Sequence, residues 1–187
     1  MKREQLLRRL EQNPVIAAVS DDKWEAALVS PATVLFYLSA DVMTVRERVE
    51  AAHKAGKMIL IHIDLAEGIG KDAGGIRWLA DCGADGILST RAGLIRLAKD
   101  HGLLAVQRFF ALDSKGLDSV DDVLHKTAPH LMEIMPGVIG KAIRRFSVGD
   151  TPVIAGGLVE SPEEVATALQ NGATAVSTGA EMLWNRT

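Results

Sequence analysis

The sequence predicts an α/β protein, a compact (β/α)8 TIM-type barrel entered through a short N-terminal helix. Three observations predict it. Eight short apolar runs alternate with helical segments along the chain, the pattern of a parallel sheet covered by helices. A local rule repeats from unit to unit: glycine at a helix end, a few residues, an apolar strand, then small or polar residues. Finally, Gly83-Ala-Asp-Gly-Ile-Leu-Ser-Thr90 echoes Gly172-Ala-Thr-Ala-Val-Ser-Thr178 with a one-residue gap, as strands four and eight of two similar half-barrels would. No Gly-x-Gly-x-x-Gly follows the first strand, which argues against a dinucleotide fold.

The elements follow in order. Met1 to Leu10 form an amphipathic helix, and Pro14 opens the first strand, Val15–Val19. Asp21 or Asp22 caps a short helix through Trp24 to Leu28. Thr33–Leu38 is the second strand; Thr44-Val-Arg-Glu47 reads as a capping box opening a helix that stops at Gly56. Lys57–Ile63 is the third strand, leading through the glycine-rich stretch Glu67–Gly75 into a helix that ends at Gly83. Gly86–Thr90 is the fourth strand, Arg91–His101 a helix, and Leu103–Phe110 the fifth strand. Ser119, with Asp122 three residues on, caps a helix to Thr127; His130–Met135 is the sixth strand. Pro136-Gly137 turns the chain into a helix carrying Lys141, Arg144 and Arg145, closed by Gly149. Val153 and Ile154 lie in the seventh strand, followed by Gly156-Gly157, and Ser161, Pro162 and Glu164 give the next helix a capping box with proline in its first turn. Gly172 ends that helix, Ala175–Thr178 is the eighth strand, and Glu181–Trp184 a short last helix. Fitting eight units into 187 residues leaves no room for large insertions, so some helices must be short.

Composition sets the outer bounds. The chain reads as one barrel domain over residues 1–187, with 48% hydrophobic and 24% charged residues, ordinary for a globular protein. No apolar run reaches the roughly 18 to 20 residues needed to span a bilayer. The N-terminus mixes acids with bases, unlike a signal peptide, so the expected setting is cytoplasmic, away from membranes. Cys82 is the only cysteine, which excludes a disulfide framework and a cysteine metal cluster. The net charge of −3 argues against a wholly basic nucleic-acid surface and leaves room for a local basic patch.

Barrel chemistry concentrates at the C-terminal ends of the strands. That rim is expected to carry Asp41, Asp64, Lys71, Ser89, Thr90, Arg108, Glu133, Gly156, Gly157, Ser177, Thr178 and Gly179. The turns after strands seven and eight, with the helix starts beyond them, form a phosphate grip. In it Gly157 and Gly179 would supply backbone N–H donors, Ser177 or Thr178 a hydroxyl, and Arg108 or Lys71 the balancing charge. The plainer reading is that these glycines only make tight βα turns. Asp64 and Glu133 are the acceptors for the far end of a small polyol phosphate, or a general acid and base; a strand-end carboxylate also commonly caps the next helix. His62 alternates with Asp64 on one face, where a partnered core histidine outweighs a metal ligand, and no metal site is expected. Arg8-Arg9, Lys141 and Arg144-Arg145 are the candidate contacts to RNA phosphates, against their ordinary place on solvated helix faces.

Together the motifs become specific. His62-Ile-Asp-Leu-Ala-Glu-Gly68 with Lys71-Asp72, Asp85-Gly-Ile-Leu-Ser-Thr90, Gln107-Arg108, Glu133-Ile-Met-Pro-Gly137, Ile154-Ala-Gly-Gly-Leu158, Ala175-Val-Ser-Thr178 and Leu183-Trp184 resemble, in the right order, the glycerol-3-phosphate-responsive antiterminators. The resemblance implies a regulator and not an enzyme, one that binds the leader mRNA of a glycerol-uptake operon when glycerol 3-phosphate is bound. It carries no cofactor, and a homodimer would present two basic patches together. It also implies Asp64, Glu67, Lys71, Ser89, Thr90, Arg108, Glu133, Gly156, Gly157, Ser177 and Thr178 as ligand-site residues. Two positions depart from the family pattern: Gly140-Lys141 stands where Pro-Lys is expected, and Ser-Thr-Gly-Ala where Ser-Thr-Ser is expected. Neither change removes a backbone N–H from the grip. The alternatives are a phosphosugar isomerase, epimerase or lyase using Asp64 and Glu133, and a sensor whose partner is another protein.

Overall fold

A computed structural model describes residues 2–111 and 114–185. Helix α1 (Lys2–Gln12) precedes eight βα units: β1 (Val15–Val19) and α2 (Trp24–Val29), β2 (Val34–Tyr37) and α3 (Val45–Lys54), β3 (Met58–His62) and α4 (Ala73–Asp81), β4 (Gly86–Ser89) and α5 (Ala92–Asp100), β5 (Leu104–Phe110) and α6 (Ser114–Thr127), β6 (Leu131–Met135) and α7 (Gly140–Ser147), β7 (Val153–Gly156) and α8 (Pro162–Gln170), β8 (Ala175–Thr178) and α9 (Glu181–Trp184). Every strand pairs in parallel with its sequence neighbour. The sheet closes where Val15 of β1 meets Val176 of β8 and Ala17 meets Thr178. The predicted barrel is the observed one.

Closure buries both faces of each strand, which is why most strand residues are apolar and β2, β3, β4, β7 and β8 are buried throughout. Alternate side chains fill the barrel in layers, among them Val34, Phe36, Met58, Leu60, Val106 and Ile154. Leu6 and Leu10 of α1 belong to this same interior cluster, each about 1% exposed. The first helix is therefore the plug of the barrel's N-terminal end. Outward-facing strand residues meet the surrounding helices in two further clusters, one from β1 to β5 and one from β5 to β8. Trp184 is fully buried, its indole N–H donating to the carbonyl of Thr178 at 2.7 Å, and so fixes α9 over the last strand.

The helix starts are less regular than the sequence suggests. Ser161 and Glu164 do form the reciprocal capping box. Thr44 makes no side-chain cap; Asp41 takes that part, its carboxylate accepting from Met43 N–H and its carbonyl from Val45 N–H. Asp21 and Asp22 do not cap α2 but form a 3-10 turn before it, at the end of which stands Lys23. Ser119 is not a cap: α6 begins at Ser114, and the Ser119 hydroxyl donates back to the carbonyl of Gly116. In the glycine-rich stretch Asp72 caps α4 through Gly75 N–H, and a Cβ on Gly75 would lie 1.8 Å from the carbonyl oxygen of Gly70. Those glycines serve chain crossing.

Leu10→Ala should cost about 2–5 kcal/mol of unfolding free energy, because a cavity opens between plug and barrel. Urea titration followed by far-ultraviolet dichroism measures it. An unchanged midpoint would make α1 a mere appendage.

Candidate functional site

Above the apolar layers, at the strands' C-terminal ends, the barrel interior turns polar. Glu133 of β6 is fully buried and central to this layer. One carboxylate oxygen accepts from Arg108 Nε at 2.6 Å, and the other from the Ser177 hydroxyl. Arg108 also donates through Nη1 to His62 Nε2 at 2.7 Å, which places the imidazole proton on Nδ1, where no acceptor exists among the described residues. Burial, then the adjacent Arg108 charge, pushes the His62 imidazole down to about 4, so it is neutral near pH 7. His62 is thus a buried histidine partnered by Arg108. The layer is a chain of ionic contacts reaching across β3, β5, β6 and β8.

Gly156 belongs to this layer and not to the surface over it. A Cβ there would stand 2.4 Å from the Glu133 carboxylate and 2.8 Å from the Ser177 hydroxyl oxygen, so the glycine makes room for the buried acid. Its neighbour Gly157 has φ +73°, followed by Leu158 at φ +57°. Two successive left-handed residues reverse the chain sharply, and at Leu158 the cost of a Cβ in that region is borne by an exposed side chain.

A cavity of about 550 Å³ opens over these strand ends. Of the sequence-predicted residues it gathers Arg108, Glu133, Gly157, Ser177, Thr178 and Gly179. No described residue accepts from the N–H groups of Gly157, Leu158 and Gly179. Lys23, which the sequence reading passed over inside an Asp-Asp-Lys turn, also lines the cavity and donates from Nζ to the Gly179 carbonyl at 2.8 Å. Its place just beyond β1, at the same rim as the other strand ends, is the signal that was available. Thr178 has its hydroxyl committed, donating to the Val159 carbonyl and accepting from Ala180 N–H. A second cavity of about 480 Å³ lies in the helix layer between α6 and α7, away from every rim residue.

The remaining predicted residues fall outside that cavity. Asp64 accepts from the Ser89 hydroxyl, Thr90 N–H and the Thr90 hydroxyl, with Arg91 Nε at 3.6 Å. Burial alone would raise its pKa, but the bonds from Thr90 and Ser89 hold it below the usual carboxylate value. Glu67 bridges to Asp41 through its backbone, joining two rim loops. The ammonium of Lys71 donates to the carbonyls of Ala66 and Ile69 and so ties its own loop. Among the basic residues, Arg9 donates to the Gly56 and Thr33 carbonyls, Arg144 to Asn171, and Arg145 pairs with both Asp118 and Asp121. Lys141, in the first turn of α7, stands at the other end of that helix from Arg144 and Arg145. No group of three or more His, Cys, Asp or Glu residues able to hold a metal exists among the described residues, and no helix there is long and apolar enough to cross a membrane.

A closed parallel barrel with a small cavity at the strand C-termini defines a (β/α)8 protein with a small-ligand rim. The model of the glycerol-3-phosphate responsive antiterminator family matches residues 15–184. YgcP of Escherichia coli is 34% identical over 182 residues, 96% of this chain and 95% of that one. The crystal structure of a glycerol uptake operon antiterminator regulatory protein from Listeria monocytogenes matches with a TM-score of 0.87 at 34% identity, over 94% of this chain and 96% of that one. A glycerol uptake operon antiterminator-related protein from Thermotoga maritima matches at 0.83 and 29%, over 92% and 98%. The chain belongs to the glycerol-3-phosphate responsive antiterminator family.

The depressed imidazole gives a signed prediction. His62 in the unfolded chain titrates near 6.5 and in the fold near 4, so between those values the unfolded state binds more protons. Stability is full above the upper value and falls by about 3 kcal/mol as pH drops to the lower one. His62→Gln should remove that share, flattening stability between the two values in urea titrations at several pH values; a parallel pair of curves would show that His62 is not buried neutral. Gly156→Ala should cost about 1–3 kcal/mol through overpacking against Glu133, read as a lower denaturation midpoint.

Proposed function

We propose that this chain is a transcription antiterminator that binds glycerol 3-phosphate in the rim cavity and, so loaded, binds the leader mRNA of a glycerol-uptake operon. The observation that carries the effector half is the convergence of unpaired backbone N–H groups at Gly157, Leu158 and Gly179 on one cavity. Such donors with no Cβ in the way at two of the three suit a phosphate dianion. Lys23 supplies the positive charge at that end, since Lys71 is tied into its own loop. The glycerol hydroxyls then lie toward Arg108 and Glu133, where Arg108 keeps N–H donors beyond those it spends on Glu133 and His62. Family membership supports both the effector and the RNA.

The acid–base alternative finds less support. Asp64 and Glu133 line no common cavity, and every oxygen of both already accepts a hydrogen bond within the protein. A general acid and base must reach one substrate, and these two carboxylates do not share a cavity.

Gly179→Val tests the grip better than a change at Gly157. At Gly157 the left-handed φ and a Met135 methyl 2.6 Å from a would-be Cβ put the fold at risk. At Gly179 the nearest atom is 3.7 Å away and φ lies outside that region. Gly179→Val should weaken glycerol 3-phosphate binding at least about tenfold by calorimetry, with little change in melting temperature, and Lys23→Gln should weaken it about as much. Unchanged affinity in both variants would remove the phosphate from this cavity. Gel shifts with leader RNA should show binding that depends on the effector; turnover of a phosphosugar, lost in Glu133→Gln, would select the enzyme instead.

A further inference from the structure

Several helices of this barrel place charged residues where they complement the helix dipole. Acidic residues fill first turns: Glu25, Glu47, Glu163, Glu164 and Glu181. Basic residues stand in four last turns: Lys54 in α3, Lys99 in α5, Lys126 in α6, and in α7 Arg144 beside Arg145, whose charge Asp118 and Asp121 balance. Each arrangement complements the helix dipole. Because the helices run antiparallel to the strands, these acids lie toward the effector rim and these bases toward the strand N-termini, where Asp81 and Asp100 at the ends of α4 and α5 offset part of them. Such placements favour a polyanion at the strand N-termini over the rim.

Helix dipoles alone would explain that polarity, but α1 adds what they do not require. It lies across the basic end and brings Lys2, Arg3 and Arg8 there, all exposed and none in an ion pair among the described residues. Lys2 and Arg3 meet Lys99 and His130 around a cavity of about 190 Å³. Lys99 is anchored there by its bonds to the Thr127 and Ala128 carbonyls. His130 accepts the Ala105 N–H on Nδ1 at 3.0 Å, which leaves Nε2 as the ring's proton donor. Asp85 at this end is engaged by the Ile59 N–H and His53.

We infer that this plugged end of the barrel, with the Lys2–Arg3–Lys99–His130 cavity at its centre and Arg8 further along the same helix, is the surface that holds RNA phosphates. The inference rests on the RNA-binding reading above and assigns it to the face opposite the effector. It moves the RNA surface away from Lys141, which stands near the rim, and from Arg145, whose charge two aspartates already balance.

The test uses the full chain, loaded with glycerol 3-phosphate, and a fluorescein-labelled hairpin RNA from a glycerol-uptake operon leader, read by anisotropy across a salt series. Lys2→Glu with Arg3→Glu and Arg8→Glu should weaken binding at least about tenfold and lower the slope of log affinity against log salt by roughly two to three. Effector affinity should stay the same, and Lys141→Glu should change RNA affinity less than about twofold. RNA binding unchanged in the triple variant, or lost in Lys141→Glu, overturns the assignment while leaving the RNA reading in place. Inorganic pyrophosphate, titrated by nuclear magnetic resonance, separates the two failures. If the parent binds no RNA but pyrophosphate shifts the His130 and Lys99 resonances, the anion surface stands and the RNA function falls. If neither probe reaches this end, both fall.

Discussion

A carboxylate with no solvent exposure, Glu133, is the constraint on which the upper barrel depends. Removing an ion from water costs several kcal/mol unless its lone pairs are met. Arg108, one strand away, meets one oxygen, and Ser177, two strands away, meets the other. Between them β7 has to present a residue with no side chain, and Gly156 does so. Arg108 then needs an acceptor for its second branch, and His62 provides it, kept neutral by burial first and by the Arg108 charge second. One buried charge therefore dictates residue types on five of the strands. It also fixes the floor of the rim cavity, because Arg108, Glu133 and Ser177 all line it.

The fold was legible because closure of a parallel barrel leaves a strong mark on sequence. Both strand faces are buried, so the strands read as continuous apolar runs, and Gly56, Gly83, Gly102 and Gly172 end their helices in left-handed conformations that other residues resist. Helix starts were less legible. Ser and Thr caps at Thr44 and Ser119 were inferred from local spacing, whereas the chain used Asp41 at one and an earlier start at the other. Capping chemistry is local, but which of several competent residues takes the position is decided by where the loop must arrive.

At the rim several of the strand ends singled out in the sequence line one cavity, but some of their polar groups are already spent within the protein. Thr178 and Lys71 carry the groups a phosphate wants, yet a hydroxyl and an ammonium satisfy the nearest carbonyl first. Gly156 looked like part of an anion cradle and serves a buried acid instead. Lys23 went unnoticed because its neighbours Asp21 and Asp22 read as helix caps. Each miss has the same source: spacing shows which side chains share an end of the barrel, but not which hydrogen-bonding groups remain unspent after the loops have folded.

If effector and RNA take opposite ends, as proposed, the close-packed barrel interior lies between them. The ionic layer of His62, Arg108 and Glu133 rests on Leu60, Val106 and Ile154, and that apolar cluster continues to Leu6 and Leu10 of α1. An effector acts on RNA affinity only through a difference in its own affinity for two states of the protein. A coupling of about 1–3 kcal/mol is typical, and close-packed interiors transmit displacement because they have few voids in which to absorb it. Helix α1 docks through Leu6 and Leu10, with Leu7 packed beside them, and through side-chain bonds from Arg3 and Arg9 to carbonyls, and no strand of the sheet depends on it for pairing. Polyol hydroxyls that draw Arg108 toward the cavity would change the packing beneath it, and the docking of α1 is where that change reaches Lys2, Arg3 and Arg8. On that proposal the plug that completes the core is also the part that carries the RNA face.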